Sequence, residues 1–184
     1  YYAVVGSRAA DGSGQIVLFS SVDLRHWEFC TVLDRCENRI GRMWECPDFF
    51  PVGDPDRNTR VLVISPQDVT AEWPEFHNGN NALFLIGEYE KENHLFCRNR
   101  VQSADYGLDY YAPQTTQAPD GRRILIAWMK SWDTNIFPEG FSWNGMTTVP
   151  REVSIREEDG RILQNPVREL ERYHGTPVCA EQVH

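Results

Sequence analysis

Glu45 is the residue of this chain whose neighbours best suit acid–base chemistry. It stands in Met43-Trp44-Glu45-Cys46-Pro47-Asp48-Phe49-Phe50, between an indole and a thiol, with a proline two residues on. An apolar setting disfavours the charged form of a carboxyl group and raises its pKa. A carboxyl group tuned in that way can give up a proton near neutral pH and take one back, as a general acid/base must. The same composition also fits a strand edge on which the glutamate is incidental, because buried carboxylates occur in structural networks as well.

Other chemistries find less support. The five cysteines (30, 36, 46, 97 and 179) are odd in number and lack CxxC spacing, which argues against a disulfide framework and against a zinc site. Unpaired thiols fit a reducing compartment such as the cytoplasm. The five histidines (26, 77, 94, 174 and 184) have no paired spacing of the HExxH kind and are read as solvated or structural. The net charge is −9, and no basic patch alternates with aromatics, so nucleic acid is not an expected partner. No apolar run approaches the ~20 residues of a membrane span.

The elements that must position Glu45 read as strands. The 184 residues, 41% of them hydrophobic, suit one domain with its own core. Residues 1–7 and 15–21 are β-branched and aromatic runs around the turn Asp11-Gly12-Ser13-Gly14, and residues 27–33 form a third strand. Residues 44–52, 60–65, 82–90 and 94–101 make the next set; 109–117, 122–130, 148–156 and 161–164 make the last. Asp120-Gly121 is the clearest hairpin turn. Two loops are rich in side chains common at ligand sites: residues 66–81, with Trp73, and residues 131–145, with Trp132, Phe137, Phe141 and Trp143. Trp73, Trp132 and Trp143 are candidates to shape outer parts of a site. A short helix is expected at Val167–Tyr173. Sets of three or four short strands recurring every ~50 residues suggest radial blades, with a β-sandwich as the competing architecture.

Five segments together resemble glycoside hydrolase family 32, the invertase and fructan-hydrolase family. Trp44-Glu45-Cys46-Pro47-Asp48 is similar to its Glu-Cys-Pro acid/base motif. Tyr106-Gly107-Leu108-Asp109-Tyr110-Tyr111-Ala112-Pro113-Gln114 resembles its Tyr-Gly-x-Asp-Phe-Tyr-Ala segment. The strand Arg123–Met129, the stretch Met146-Thr147-Thr148-Val149-Pro150-Arg151-Glu152 and the segment Gln164–Leu170 follow in the family's order and spacing. The resemblance implies an all-β five-bladed β-propeller, present here as a fragment covering about blades three to five. Residues 1–165 would belong to the propeller, and 166–184 would lead towards a C-terminal β-sandwich. The strand-like start at Tyr1, without an initiator Met, fits a chain cut from a longer protein.

The resemblance also assigns roles. Glu45 would be the general acid/base of a retaining β-fructofuranosidase acting on sucrose or a fructan. Cys46 would modulate it through a weak S–H contact, or else be a small buried hydrophobe. Asp109 and Tyr111 would approach the fructosyl pocket, and Trp128 would offer an apolar face to a sugar ring or pack between blades. Asp48 is expected to point away from Cys46 on extended backbone and to be structural. No cofactor is implied, since two carboxylates suffice. The partner the resemblance implies is a fructose-containing oligo- or polysaccharide. The family's Asn-Asp-Pro nucleophile and Arg-Asp-Pro stabiliser motifs are absent, and Asp54-Pro55, in a polar turn after Gly53, does not replace them. The isolated chain is therefore expected to be inactive, and its open strand edges to favour marginal stability or association. The alternative is a non-catalytic carbohydrate-binding propeller remnant.

Overall fold

The computed structural model describes residues 1–54, 57–72, 75–130, 132, 139–177 and 179. They form three antiparallel sheets. Sheet one holds β1 (Tyr2–Arg8), β2 (Gly14–Ser20) and β3 (Glu28–Arg35) in that spatial order. Sheet two holds β4 (Met43–Pro51), β5 (Thr59–Gln67), β6 (Leu83–Glu90) and β7 (Leu95–Ser103). Sheet three holds β8 (Tyr111–Gln117), β9 (Arg123–Trp128), β10 (Arg151–Arg156) and β11 (Arg161–Pro166). Within each sheet every strand pairs with its neighbour in sequence, so local turn chemistry and β propensity account for the order. No helix among the described residues is long and apolar enough to cross a membrane.

Sheet two is the middle layer, and its sequence shows why. Val61, Leu62, Val63 and Ile64 of β5, and Leu83, Phe84 and Leu85 of β6, are all fully buried. Side chains of a strand alternate between faces. Leu62, Ile64, Leu83 and Leu85 accordingly pack with Ile16, Leu18 and Leu33 of sheet one. Val61, Val63, Phe84 and Ile86 pack with Leu125, Ala127, Val153 and Ile162 of sheet three. A strand covered on both faces reads as a continuous apolar run rather than an alternating one. Each fully buried aliphatic side chain stabilises the fold by about 1.5–3 kcal/mol relative to exposure.

The contact between sheets one and two is closest where β1 crosses β4. A Cβ on Gly6 would stand 2.7 Å from the Trp44 carbonyl oxygen, so only glycine allows this approach. Trp44 is fully buried at that crossing, and its Nε1 donates to the Ile40 carbonyl at 2.8 Å. Asp34 of β3 and Arg98 of β7 pair across the same sheets at 3.1 Å. The Arg98 guanidinium lies 5.9 Å above the Trp44 ring.

The helix expected near the C-terminus is a 3-10 helix, Arg168–Tyr173, with no buried side chain. Charges hold it to sheet three. Arg122 bonds Glu169 at 2.6 Å and also Glu152, while Arg168 bonds Asp120 at 2.7 Å. Hydrogen bonds from Arg122 hold the Glu169 carboxyl down at about 2. Asp120 is lowered first by its hydrogen bonds from Arg122, and Glu152 first by the Arg168 backbone N–H and then by Arg122. A depressed carboxyl pKa contributes stability above the ordinary value and loses it as pH falls to the folded value. This docking is therefore complete above about pH 5 and lost towards about pH 2, where Glu169 takes up its proton. In an acid titration followed by NMR, the amides of residues 168–173 are expected to shift before the strands unfold, and Arg122→Gln to remove that early step. Movement only with global unfolding would contradict it.

Candidate active site

Glu45 lies on β4 and Tyr111 on β8. Each strand is the free edge of its sheet, and the two edges lie side by side. The Tyr111 hydroxyl donates to Glu45 Oε2 at 3.0 Å. It also stands 3.2 Å from the carbonyl oxygen of Ser65, the β5 residue paired with Glu45. Burial first, and the charge of Glu45 second, push the Tyr111 hydroxyl well above the ordinary tyrosine range, so it remains a donor. The arrangement serves both states of the carboxyl group. An ionised Glu45 accepts from Tyr111. A protonated Glu45 can donate to the same hydroxyl oxygen while Tyr111 turns its proton to Ser65.

Two bulges aim these side chains. In β4 the register shifts between Glu45 and Asp48, and Cys46 has φ of 47°. In β8 it shifts between Tyr111 and Gln114, and Ala112 has φ of 50°. A left-handed residue that is not glycine is strained and persists only where its surroundings demand it. Here the bulges hold one another: Gln114 Nε2 donates to the Cys46 carbonyl at 2.9 Å. The Thr115 N–H donates to Asp48 Oδ2 at 2.8 Å, and the Thr115 hydroxyl donates to the same oxygen. Asp48 is thus a clip between sheets two and three. The backbone from Cys46 to Asp48 is bulged rather than extended, because Pro47 offers no N–H to the ladder and the chain turns out of register there.

The apolar residues beside Glu45 in sequence do not enclose it. Trp44 packs into the cluster with Ile16, Leu18 and Leu62, and Phe50 into the cluster shared with sheet three. Phe49 meets the rings of Tyr89 and Phe96. Cys46 is exposed rather than a buried hydrophobe. Partial burial of its sulfur and the charge of Glu45 both push its thiol up, so it is neutral at ordinary pH.

Trp128 faces Tyr111 in the β8–β9 ladder. Asp109 is exposed in the loop that leads into β8. That loop is braced by Asp105, which pairs with Arg151 at 2.7 Å, and by Glu75, which accepts from the Ser103 N–H at 2.7 Å and from the Tyr106 hydroxyl at 3.2 Å. Gln164 adds a bond to the Ala104 carbonyl at 2.7 Å. Trp132 and Trp143 are exposed, whereas Trp73 and Phe137 lie outside the described residues. The Ser65 carbonyl, Gln114, Thr115 and Glu75 were not foreseen. Their partners stand between 28 and 68 positions away in the chain, and no local pattern announces them. A cleft of about 720 Å³ between sheets two and three opens at the other end of β4, beside Pro51 and Gly53, and none of these residues lines it.

The description "Glycosyl hydrolases family 32 N-terminal domain" matches residues 1–166. The raffinose invertase of Escherichia coli is 36% identical over 195 aligned residues, which span 100% of this chain and 40% of that protein. A sucrose-6-phosphate hydrolase of the same species is 36% identical over 93% of this chain and 35% of its own length. Among solved structures, the GH32 β-fructofuranosidase of Bombyx mori superposes with a TM-score of 0.85 and 34% identity, over 97% of this chain and 37% of that one. The class is therefore that of the glycoside hydrolases, with an all-β domain of antiparallel sheets. The chain belongs to glycosyl hydrolase family 32. It spans two fifths or less of the length of these relatives.

Proposed function

We propose that this chain is the acid/base-bearing part of a retaining β-fructofuranosidase that cleaves sucrose or a related fructoside. The observation that carries the reading is the half-buried Glu45, on the inner edge of sheet two, with a proton donor 3.0 Å away that suits both of its protonation states. In the first step Glu45 gives its proton to the oxygen leaving C2 of the fructosyl unit, while a second carboxylate attacks that carbon. In the next step Glu45 takes a proton from water as the water displaces the enzyme carboxylate, which leaves free fructose and restores both groups. Retaining enzymes hold the two carboxyl groups about 5–5.5 Å apart. The second group belongs to sequence outside these 184 residues.

The architecture supports that division. β1 lies against β4 as β5 lies against β8. Sheet one thus corresponds to a four-stranded blade lacking its innermost strand, and the three sheets read as parts of blades three, four and five of a propeller. The nucleophile and the stabiliser would be supplied from the missing strands, and residues 166–184 would lead out to a further domain. Asp109 and Trp128 are assigned to the sugar, Tyr111 to the orientation of Glu45, and Cys46 to the rim beside it. Relatives named for raffinose, sucrose 6-phosphate and sucrose support a fructose-containing saccharide as the substrate.

The full-length protein is expected to release fructose from sucrose, and NMR during turnover to detect the β-furanose anomer first. Release of the α-anomer first would exclude a retaining mechanism. Binding without any release would favour the non-catalytic alternative.

A further inference from the structure

The inner edges of sheets two and three are joined by side chains, not by a ladder. β4 and β8 lie side by side but belong to different sheets, so no strand pairing fixes one against the other. Side chains cross between them at three levels. Tyr111 reaches Glu45 at 3.0 Å, and Gln114 reaches the Cys46 carbonyl at 2.9 Å. The Thr115 N–H reaches Asp48 Oδ2 at 2.8 Å, and the Thr115 hydroxyl donates to the same oxygen. Asp48 therefore takes both donors of one residue, and bonds to a charged acceptor are stronger than neutral ones.

Arg123 of β9 closes the other side of Thr115. Its guanidinium lies 4.7 Å above the Phe50 ring, and Nη1 stands 3.4 Å from the Thr115 hydroxyl oxygen. Burial disfavours the charge of Arg123, and the charge of Asp48 favours it. The Thr115 hydroxyl is thus held between an acid of sheet two and a cation of its own sheet. The two bulges connect this clip to the site. Each lies between a residue that meets at the site and one that ties the edges: Glu45 and Asp48 on β4, Tyr111 and Gln114 on β8. Cys46 and Ala112 hold positive φ there, a conformation that persists only where the surroundings demand it. Without the clip both bulges are free to relax, and relaxation moves Glu45 and Tyr111 relative to one another.

We propose that Asp48, through Thr115, is a positioning residue for the acid/base: it fixes the edge of sheet two against that of sheet three, and so sets where Glu45 and Tyr111 meet. The proposal rests on the β-fructofuranosidase reading of Glu45. Asp48 acts through its neighbours and not on the substrate.

The test compares Asp48→Ala, Asp48→Asn, Thr115→Val and Thr115→Ser in the full-length protein. Asp48→Ala removes both bonds and is expected to lower kcat on sucrose about 10- to 100-fold, the upper figure being the loss that a 1 Å misplacement causes. KM should change less than about twofold, as for an interaction that matters only in the transition state. Thr115→Val keeps the N–H and should lose less. Asp48→Asn keeps an oxygen acceptor and Thr115→Ser keeps the hydroxyl, so both should retain most of the rate. An activated fructoside, whose leaving group needs no proton, should still form the covalent intermediate in Asp48→Ala at nearly the wild-type rate. Added to Glu45→Gln, Asp48→Ala should cost little more, because nothing is left to position. A folded Asp48→Ala with wild-type turnover, or one equally slow on sucrose and the activated fructoside, overturns the proposal. If Asp48→Ala does not fold, Thr115→Val decides by the same measures. With isotope-labelled tyrosine, the Tyr111 Cζ signal in NMR is expected to move in Asp48→Ala as it does in Glu45→Gln, and an unmoved signal also overturns the proposal. That signal needs no turnover. If wild type cleaves no fructoside, the hydrolase reading fails, and the coupling of Asp48 to the Glu45–Tyr111 pair stands or falls on the signal alone.

Discussion

Glu45→Gln in the full-length protein is expected to lower kcat on sucrose by about 10²–10⁴-fold, the range contributed by a positioned general acid/base. That corresponds to roughly 3–5 kcal/mol of barrier. Glutamine keeps the shape of the side chain and an oxygen that can accept from Tyr111. What it lacks is a proton to give to the leaving oxygen and a basic oxygen to take one from water. Unfolding should therefore be nearly unaffected while turnover collapses. The defect should also depend on the leaving group. An activated fructoside, whose leaving group needs no proton, is expected to form the covalent intermediate at nearly the normal rate and then accumulate it, visible as a burst. Azide, which attacks without a general base, should release the intermediate. A variant that turns over sucrose at the wild-type rate would remove Glu45 from the mechanism.

Trp44→Ala should be the most damaging single change to stability, costing about 3–5 kcal/mol, as for other large aromatic truncations in cores. Trp44 is fully buried among Ile16, Leu18 and Leu62, where sheets one and two meet. Its removal leaves a cavity and orphans the Ile40 carbonyl that accepts from Nε1. It also withdraws the ring beneath Arg98. Thermal unfolding of the variant is expected to fall by roughly 2–4 °C for each kcal/mol in a chain of this length. Trp44→Phe, which fills most of the space but cannot donate to Ile40, should lie between. A loss under about 1 kcal/mol for the alanine variant would mean that the sheets are not coupled through this side chain. The position also matters for chemistry, because Glu45 is the next residue and shares its strand.

The strands were legible because their causes are local. Runs such as Arg60–Ser65 and Arg122–Lys130, bounded by turn formers, appear as β5 and β9 with shifts of one or two residues at their ends. The final segment was legible as helical but is a 3-10 turn pinned by charge, since no apolar face is available to bury. Asp48 was foreseen as structural, and it is. Its direction was not foreseen, because an extended backbone was assumed where the bulge at Cys46 turns the strand.

The candidate site divides in the same way. Trp44-Glu45-Cys46-Pro47-Asp48 singled out a carboxylate, and the order of five short segments pointed to a family, because a motif is a local property of the chain. The expected reason for Glu45 to be special, apolar neighbours in sequence, does not survive folding. Alternation along β4 and the bulge after Glu45 send Trp44, Phe49 and Phe50 into other packing and leave Cys46 exposed. What meets Glu45 is Tyr111, 66 residues further along, whose hydroxyl also reaches the carbonyl of Ser65, 46 residues before Tyr111. Sequence adjacency sets which side chains are available. Only the packing of one sheet edge against another decides which of them meet, because a strand carries adjacent residues to opposite faces and a bulge resets that alternation.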